Sequence, residues 1–297
     1  MSYPLISIVT ASYNQGHFIE ETINSVLDQH YPNLEYIIID GGSTDNSVEI
    51  IQKYASQLKY WISEKDNGQA NGINKGLKYC SGEIFNWLNS DDYLTPGSLV
   101  KIAAAFEDQS VQMVAGTVRN FSSTAETIIA NRNLSAAGLM CWKPGVQFMQ
   151  PGAWMRRELV NRCGGIDEEF HYAFDWDLYI RYLYHFPSVM EIPDLLANFR
   201  LHDLSKTQLM NYRFVIEEQR IIEKISLLPD YGGLKKTCRY KLQKADWTAF
   251  LSKQSKSQES FFQKCMAVVQ KLPLYKKVSF SRQTAGAIKA FWQHKQI

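Results

Sequence analysis

Hydrophobic and polar positions alternate in blocks along the first 120 residues. Residues 5–10 (LISIVT) form an apolar, β-branched run that predicts a buried strand. In the block 16–29, Ile19, Ile23, Val26 and Leu27 fall at i, i+4, i+7 and i+8, one face of a helix. The same logic predicts strands at 35–40 (EYIIID), 59–63, 83–89 (EIFNWLN) and 111–118, with helices at 45–57 and 69–79. Ser43 or Thr44 is the expected N-cap of the 45–57 helix. Thr95-Pro96 predicts a further helix start, with Thr as N-cap and Pro at the first helical position. The second half is less regular. It predicts an extended segment at 148–155, helices at 157–163 and 176–185, an extended 195–201, and helix from 211 onward.

Strands alternating with helices at this spacing specify an α/β fold with a mostly parallel central sheet flanked by helices. In such sheets ligands bind at the carboxyl ends of the strands. The polar clusters at those ends are Ala11-Ser12-Tyr13-Asn14, Asp40-Gly41-Gly42-Ser43-Thr44-Asp45, Glu64-Lys65-Asp66-Asn67-Gly68 and Ser90-Asp91-Asp92. One or two such carboxylates serve as helix caps; four clusters on one edge exceed that need. Asp91 and Asp92 are adjacent, and two neighbouring carboxylates at a buried edge are costly without a cation. Mg²⁺ or Mn²⁺ takes carboxylate oxygens and fills its other positions with phosphate and water. The competing reading is a capping pair for the next helix. Neither a GxGxxG nor a GxxxxGK[ST] loop is present, which disfavours dehydrogenase-type and P-loop nucleotide sites.

These segments together resemble the family-2 glycosyltransferases of GT-A fold. The resemblance rests on SIVTASYN (7–14), DGGSTD (40–45), DNGQANGINKG (66–76) and LNSDD (88–92). It extends through Gln150-Pro151, Gly164-Gly165-Ile166-Asp167 and Phe174-Asp175-Trp176-Asp177. The resemblance implies inverting transfer from a nucleoside diphosphate sugar, with UDP as the expected nucleotide. It implies a donor site of Thr10, Ser12, Tyr13, Asp40, Asp66, Lys75 and Asp91. Tyr13 packs on the base, Asp40 binds the uracil or ribose, and Asp91 reaches the ribose or the metal. Asp92 is the direct metal ligand of the DxD motif. The general base maps onto Asp175, with Asp177 as the alternative; two residues apart on a helix, only one can face the site. Arg200-Leu201-His202-Asp203-Leu204-Ser205-Lys206-Thr207 resembles the R-x-H-x-x-S motif. There His202 completes the metal site, and Arg200 helps with the diphosphate. A satisfied surface histidine is the plainer alternative. Asn71-Gly72 departs from the Asp-Ala that relatives often carry.

The chain has 297 residues, 45% hydrophobic and 21% charged, enough for a sizeable core. The resemblance divides it into a catalytic domain at 1–208, with a nucleotide-sugar half (1–120) and an acceptor half (121–208), and a basic helical C-terminal extension at 209–297. Five scattered cysteines without a CxxC pair predict free thiols and a cytoplasmic setting. The N-terminus lacks the basic n-region of a signal peptide. Residues 231–297 hold 14 Lys/Arg against 2 Asp/Glu, whereas residues 1–230 hold 18 against 28. Phe261, Cys265, Val268 and Leu272 recur at helical spacing in this basic region, and Ile288, Phe291 and Trp292 add an apolar cluster. Such a tail suits an anionic membrane surface, hence a peripheral place on the inner face of the plasma membrane beside a saccharide or lipid-linked acceptor. The alternative is a helical cap packed on the acidic body. No nucleic-acid motif is present, and the acidic body opposes nucleic acid as a partner. A non-catalytic nucleotide-sugar-binding module of the same fold is the competing functional class.

Overall fold

In the computed structural model, which describes residues 3–202, 205, 211–257 and 260–275, the first apolar run becomes strand β1 (Ile6–Ser12). It is followed by α1 (Ile19–Leu27), β2 (Leu34–Asp40), α2 (Ser47–Lys53), β3 (Tyr60–Ser63), α3 (Gln69–Leu77) and β4 (Ile84–Trp87). Next come β5 (Tyr93–Leu94), α4 (Ser98–Ala105), β6 (Met113–Phe121), β7 (Glu126–Ala130), α5 (Ala136–Cys141) and β8 (Ala153–Arg156). They are followed by α6 (Arg157–Arg162), α7 (Phe174–His185), β9 (Val189–Arg200), α8 (Asn211–Leu227), α9 (Lys235–Lys256) and α10 (Phe261–Lys271). The chain divides into two compact units, 1–217 and 218–297.

The sheet runs β3-β2-β1-β4-β8-β6-β9-β5, with β7 paired to β6. Strands β3, β2, β1 and β4 are parallel, as the βα alternation requires. Beyond β4 the sheet is mixed: β8 is antiparallel to β4 and β6, whereas β6 and β9 are parallel. One core lies between the sheet and helices α1, α2 and α4. Ile6, Ile8, Ile38 and Ile84 meet Ile19, Ile23, Val26, Ile50, Leu99 and Ile102 there.

Three local expectations change. Thr95 does not cap a helix. Its N–H and hydroxyl bond the carbonyls of Leu196 and Leu195 in β9, and α4 begins after Gly97. Residue 46, not Ser43 or Thr44, stands at the N-cap of α2; Asp45 accepts the Ser47 N–H beside it. The extended segment at 148–155 is a 3₁₀ turn, Gln150–Gly152, leading into β8. The hairpin strand β7, helix α5 and the first half of β9 were not anticipated.

All five cysteines are free. Among the described residues no helix is long and apolar enough to cross a membrane. The Ile288, Phe291 and Trp292 cluster lies outside the described residues.

Candidate active site

At the carboxyl ends of β1 and β2, loop is tied to loop. Asn14 adopts a left-handed φ of 54°. Its N–H donates to Ser43 Oγ (2.8 Å), and its Oδ1 accepts the Thr44 N–H (2.9 Å). Gly16 N–H donates to Asp45 Oδ2. This frame leaves Tyr13 projecting from the edge, 59% exposed, where a ring can stack on a planar base. Ser12 is buried at the tip of β1, and its hydroxyl has no partner among the described residues.

Two residues expected at the donor site have partners within the fold. Thr10 is fully buried and shares a hydrogen bond with Tyr36 Oη (3.0 Å). Asp40 is also fully buried. Its carboxylate accepts the N–H groups of Gly42 and Ser43 and the hydroxyls of Ser43 and Ser63, so it shapes the loop and bridges β2 to β3. Lys75 pairs with Glu64 at 2.7 Å.

Asp66 takes the place beside β1 and β2 that Asp40 does not. A Cβ on Gly41 would stand 3.1 Å from the Asp66 carboxyl, and one on Gly72 would stand 3.2 Å from it and from the Ala11 methyl. The two glycines thus open the space into which Asp66 is drawn, and its Oδ1 accepts the Gly68 N–H. The Asn71-Gly72 departure follows from this packing: Gly72 makes room, and Asn71 Nδ2 donates to Glu168 (2.7 Å), which Asn74 also binds.

The end of β4 carries the second half of the site. Asp92, expected as the direct metal ligand, is 1% exposed. Its Oδ1 accepts the Arg200 N–H (2.9 Å) and its Oδ2 accepts Asn89 Nδ2 (2.9 Å). Burial, and then the charge of Asp91, raise its carboxyl well above the usual range. Asp92 therefore joins β4 to β9. Asp91 is the carboxylate at the surface of the pair, and its Oδ2 lies 2.9 Å from His202 Nε2. Phe18 lies against the His202 ring, centroids 4.7 Å apart. Arg200 is not free to bind diphosphate. Its guanidinium bonds Glu21 and the Asp91 carbonyl, and lies over Phe18, Tyr93 and Phe121 at 5.0–5.5 Å. Lys206 and Thr207 of the same motif lie outside the described residues.

Asp175 stands in the first turn of α7, half-buried, its Oδ1 accepting the Trp176 N–H. Phe174 and Tyr179 of α7 lie 6.1 and 6.0 Å from the Trp87 ring, which sets this helix end beside the tip of β4. Asp177 is buried and makes a two-pronged ion pair with Arg181 (2.6 and 2.8 Å). It is thus the structural member of the acidic pair. Three residues escaped sequence reasoning. Asn89 and Gln69 hold the β4 loop from α3, with Gln69 Nε2 donating to Asn89 Oδ1. Glu217 of α8 accepts N–H groups from the segment leading into α7. Glu217 stands on an unremarkable helical stretch, and Gln69 and Asn89 stand inside the 66–76 and 88–92 motifs, where nothing marks their distant partners.

A parallel half-sheet continued by a mixed half and flanked by helices is the GT-A glycosyltransferase fold. The chain belongs to glycosyl transferase family 2, whose family model matches residues 7–164. It is 27% identical over 212 residues to an uncharacterized glycosyltransferase of Rickettsia typhi, covering 69% of this chain and 66% of that one. It is 29% identical over 188 residues to chondroitin synthase of Escherichia coli, covering 60% and 26%. It thus spans less than two thirds of either relative. Among solved structures, it is similar to Staphylococcus aureus TarS residues 1–349 in complex with UDP-GlcNAc. There the TM-score is 0.63 at 17% identity, over 98% of this chain and 81% of that one. It is also similar to the mannosyltransferase PcManGT of Pyrobaculum calidifontis in complex with GDP-Man and Mn²⁺. There the TM-score is 0.61 at 19% identity, over 99% and 88%.

Proposed function

We propose that this chain transfers a sugar, with inversion, from a UDP-sugar to a hydroxyl of a saccharide or lipid-linked acceptor in polysaccharide biosynthesis. The observation that carries the reading is the Asp91–His202 pair, 2.9 Å apart at the carboxyl end of the parallel strands. One carboxylate oxygen and one imidazole nitrogen suit Mn²⁺ and, less well, Mg²⁺, whose remaining positions diphosphate and water fill. Among the described residues no cluster of three or more such ligands occurs, which fits a cation held jointly with the substrate. We therefore assign the metal edge to Asp91 and His202, with Asp92 holding the loop behind them. A bound cation would neutralise charge developing on the leaving diphosphate.

Tyr13 stacks on the base, and Ser12 and Asp66 offer polar contacts to the nucleoside. Asp175 accepts the proton of the acceptor hydroxyl as its oxygen bonds the anomeric carbon and the bond to diphosphate breaks. General-base assistance of this kind contributes about 10²–10⁴-fold. The names of the relatives support the substrate class: chondroitin synthase, and a putative teichuronic acid biosynthesis glycosyltransferase of Bacillus subtilis, 40% identical over 92 residues. The basic C-terminal unit is assigned to an anionic membrane surface on the cytoplasmic side. The test is a screen of nucleotide sugars with Mn²⁺. Asp175→Asn should retain UDP binding and lose turnover by about 10²-fold or more. Near-normal turnover in that variant removes Asp175 as the base.

A further inference from the structure

The N-terminus of α7 lacks a cap of its own. Its N-cap residue is Ala173, which has no side-chain acceptor. A carboxylate from another helix instead holds the segment that leads into it. Glu217 of α8 accepts the N–H groups of His171 (2.9 Å, Oε1), Tyr172 (2.7 Å, Oε2) and Ala173 (2.8 Å, Oε2). Glu217 is itself buried. Three successive amides converging on one carboxylate form an anion nest, held by charge-assisted hydrogen bonds. The same face of α8 grips the segment twice more. Arg213 Nη1 donates to Tyr172 Oη at 2.7 Å, and the Phe214 ring meets the Trp176 ring edge-on at 6.3 Å.

Asp175 lies two residues beyond the last of these amides and one before Trp176. We infer that Glu217 is a positioning residue for the transfer reaction: it holds residues 171–173 so that α7 begins where the Asp175 carboxylate meets the acceptor hydroxyl. This rests on the assignment of Asp175 as the base. A backbone shift of about 1 Å at a catalytic group costs about 10²-fold in rate. The sequence marks Glu217 only as one of two adjacent glutamates, Glu217 and Glu218, on a helix. Its partners lie 44–46 residues away.

The experiment uses the full chain with Glu217→Gln, which keeps the size but loses the charge and one acceptor, beside Glu217→Asp and Asp175→Asn. UDP with Mn²⁺ is the binding probe, and turnover is measured with the nucleotide sugar identified by the screen. In Glu217→Gln, kcat should fall 10- to 100-fold with UDP affinity unchanged within twofold. Glu217→Asp should show the same pattern with a smaller loss. Turnover within twofold of the parent overturns the inference. So does a parallel fall in UDP affinity, or a chain that no longer folds, because either makes Glu217 a general structural residue. An active Asp175→Asn would instead overturn the base assignment. An inactive Asp175→Asn beside a fully active Glu217→Gln would remove the role of Glu217 alone.

Discussion

His202 Nε2 stands 2.9 Å from Asp91 Oδ2, joining residues 111 positions apart. Asp92, next to Asp91, turns inward to the Arg200 amide and Asn89. One carboxylate of the pair thereby lies beside His202 and the other is held within the fold. Asp91→Asn and His202→Ala should each weaken Mn²⁺-dependent UDP binding about tenfold or more, with melting temperature nearly unchanged. Asp92→Asn should mainly lower the melting temperature. Calorimetric titration with UDP, with and without Mn²⁺, separates the two. Loss of Mn²⁺ dependence in Asp92→Asn alone would return the metal to Asp92.

Tyr13 is held at the edge by Asn14, whose backbone and side chain are bonded to the β2 loop. Stacking of a base on an aromatic ring contributes about 1–3 kcal/mol. Tyr13→Ala should weaken UDP binding about 5- to 100-fold and Tyr13→Phe hardly at all. An alanine variant with parental affinity would place the base elsewhere.

At the opposite end of the sheet, buried Glu35 accepts Ser7 Oγ, Ser81 N–H and Ser81 Oγ, with Lys59 Nζ at 3.4 Å. Burial alone would raise its pKa. The hydrogen bonds from Ser81 and Ser7, with the Lys59 charge, outweigh it and lower the value from 4.5 to about 2. A pKa lower in the folded than in the unfolded chain stabilises the fold above about 4.5, and that stability is lost as pH falls toward about 2. Glu35→Gln should cost on the order of 2 kcal/mol at neutral pH, and the difference should close near pH 2. Denaturant melts at both pH values check it.

The C-terminal unit exposes an apolar row beside the expected one, of which Leu272 is also exposed. Val268 packs with the Trp247–Leu251 cluster, whereas Phe262 (73% exposed), Met266 and Val269 (61%) face outward. Flotation with vesicles containing anionic lipid should fall several-fold in Phe262→Ser/Val269→Ser. Equal flotation with and without residues 231–297 removes the membrane proposal.

Periodicity placed β1 to β4 and α1 to α3 within a few residues, because the strands are short apolar runs and each helix buries one regular face. The turn motifs placed Ser12, Tyr13, Asp66 and Asp91 at one edge because each stands at, or within four residues beyond, the carboxyl end of a strand. In the second half the helices expected at 157–163, 176–185 and from 211 match α6, α7 and α8, whereas β7, α5 and the first half of β9 have no counterpart in the pattern. The paired strands β6 and β7 face water over part of their length, so no apolar run announces β7. Thr95 looked like a cap until β9 claimed its N–H and hydroxyl.

The local order of strands, helices and polar turns was settled by the sequence alone, because hydrophobic period and turn chemistry act over a few residues. Which carboxylates are taken up within the fold was decided only by tertiary structure. Asp40, Asp92, Asp177 and Glu217 are each assigned by partners supplied through folding: serine hydroxyls and nearby amides for Asp40, the Arg200 amide for Asp92, the Arg181 guanidinium for Asp177 and the amides before α7 for Glu217. A buried charge stays where its hydrogen bonds are satisfied, and most of those partners are set by long-range packing.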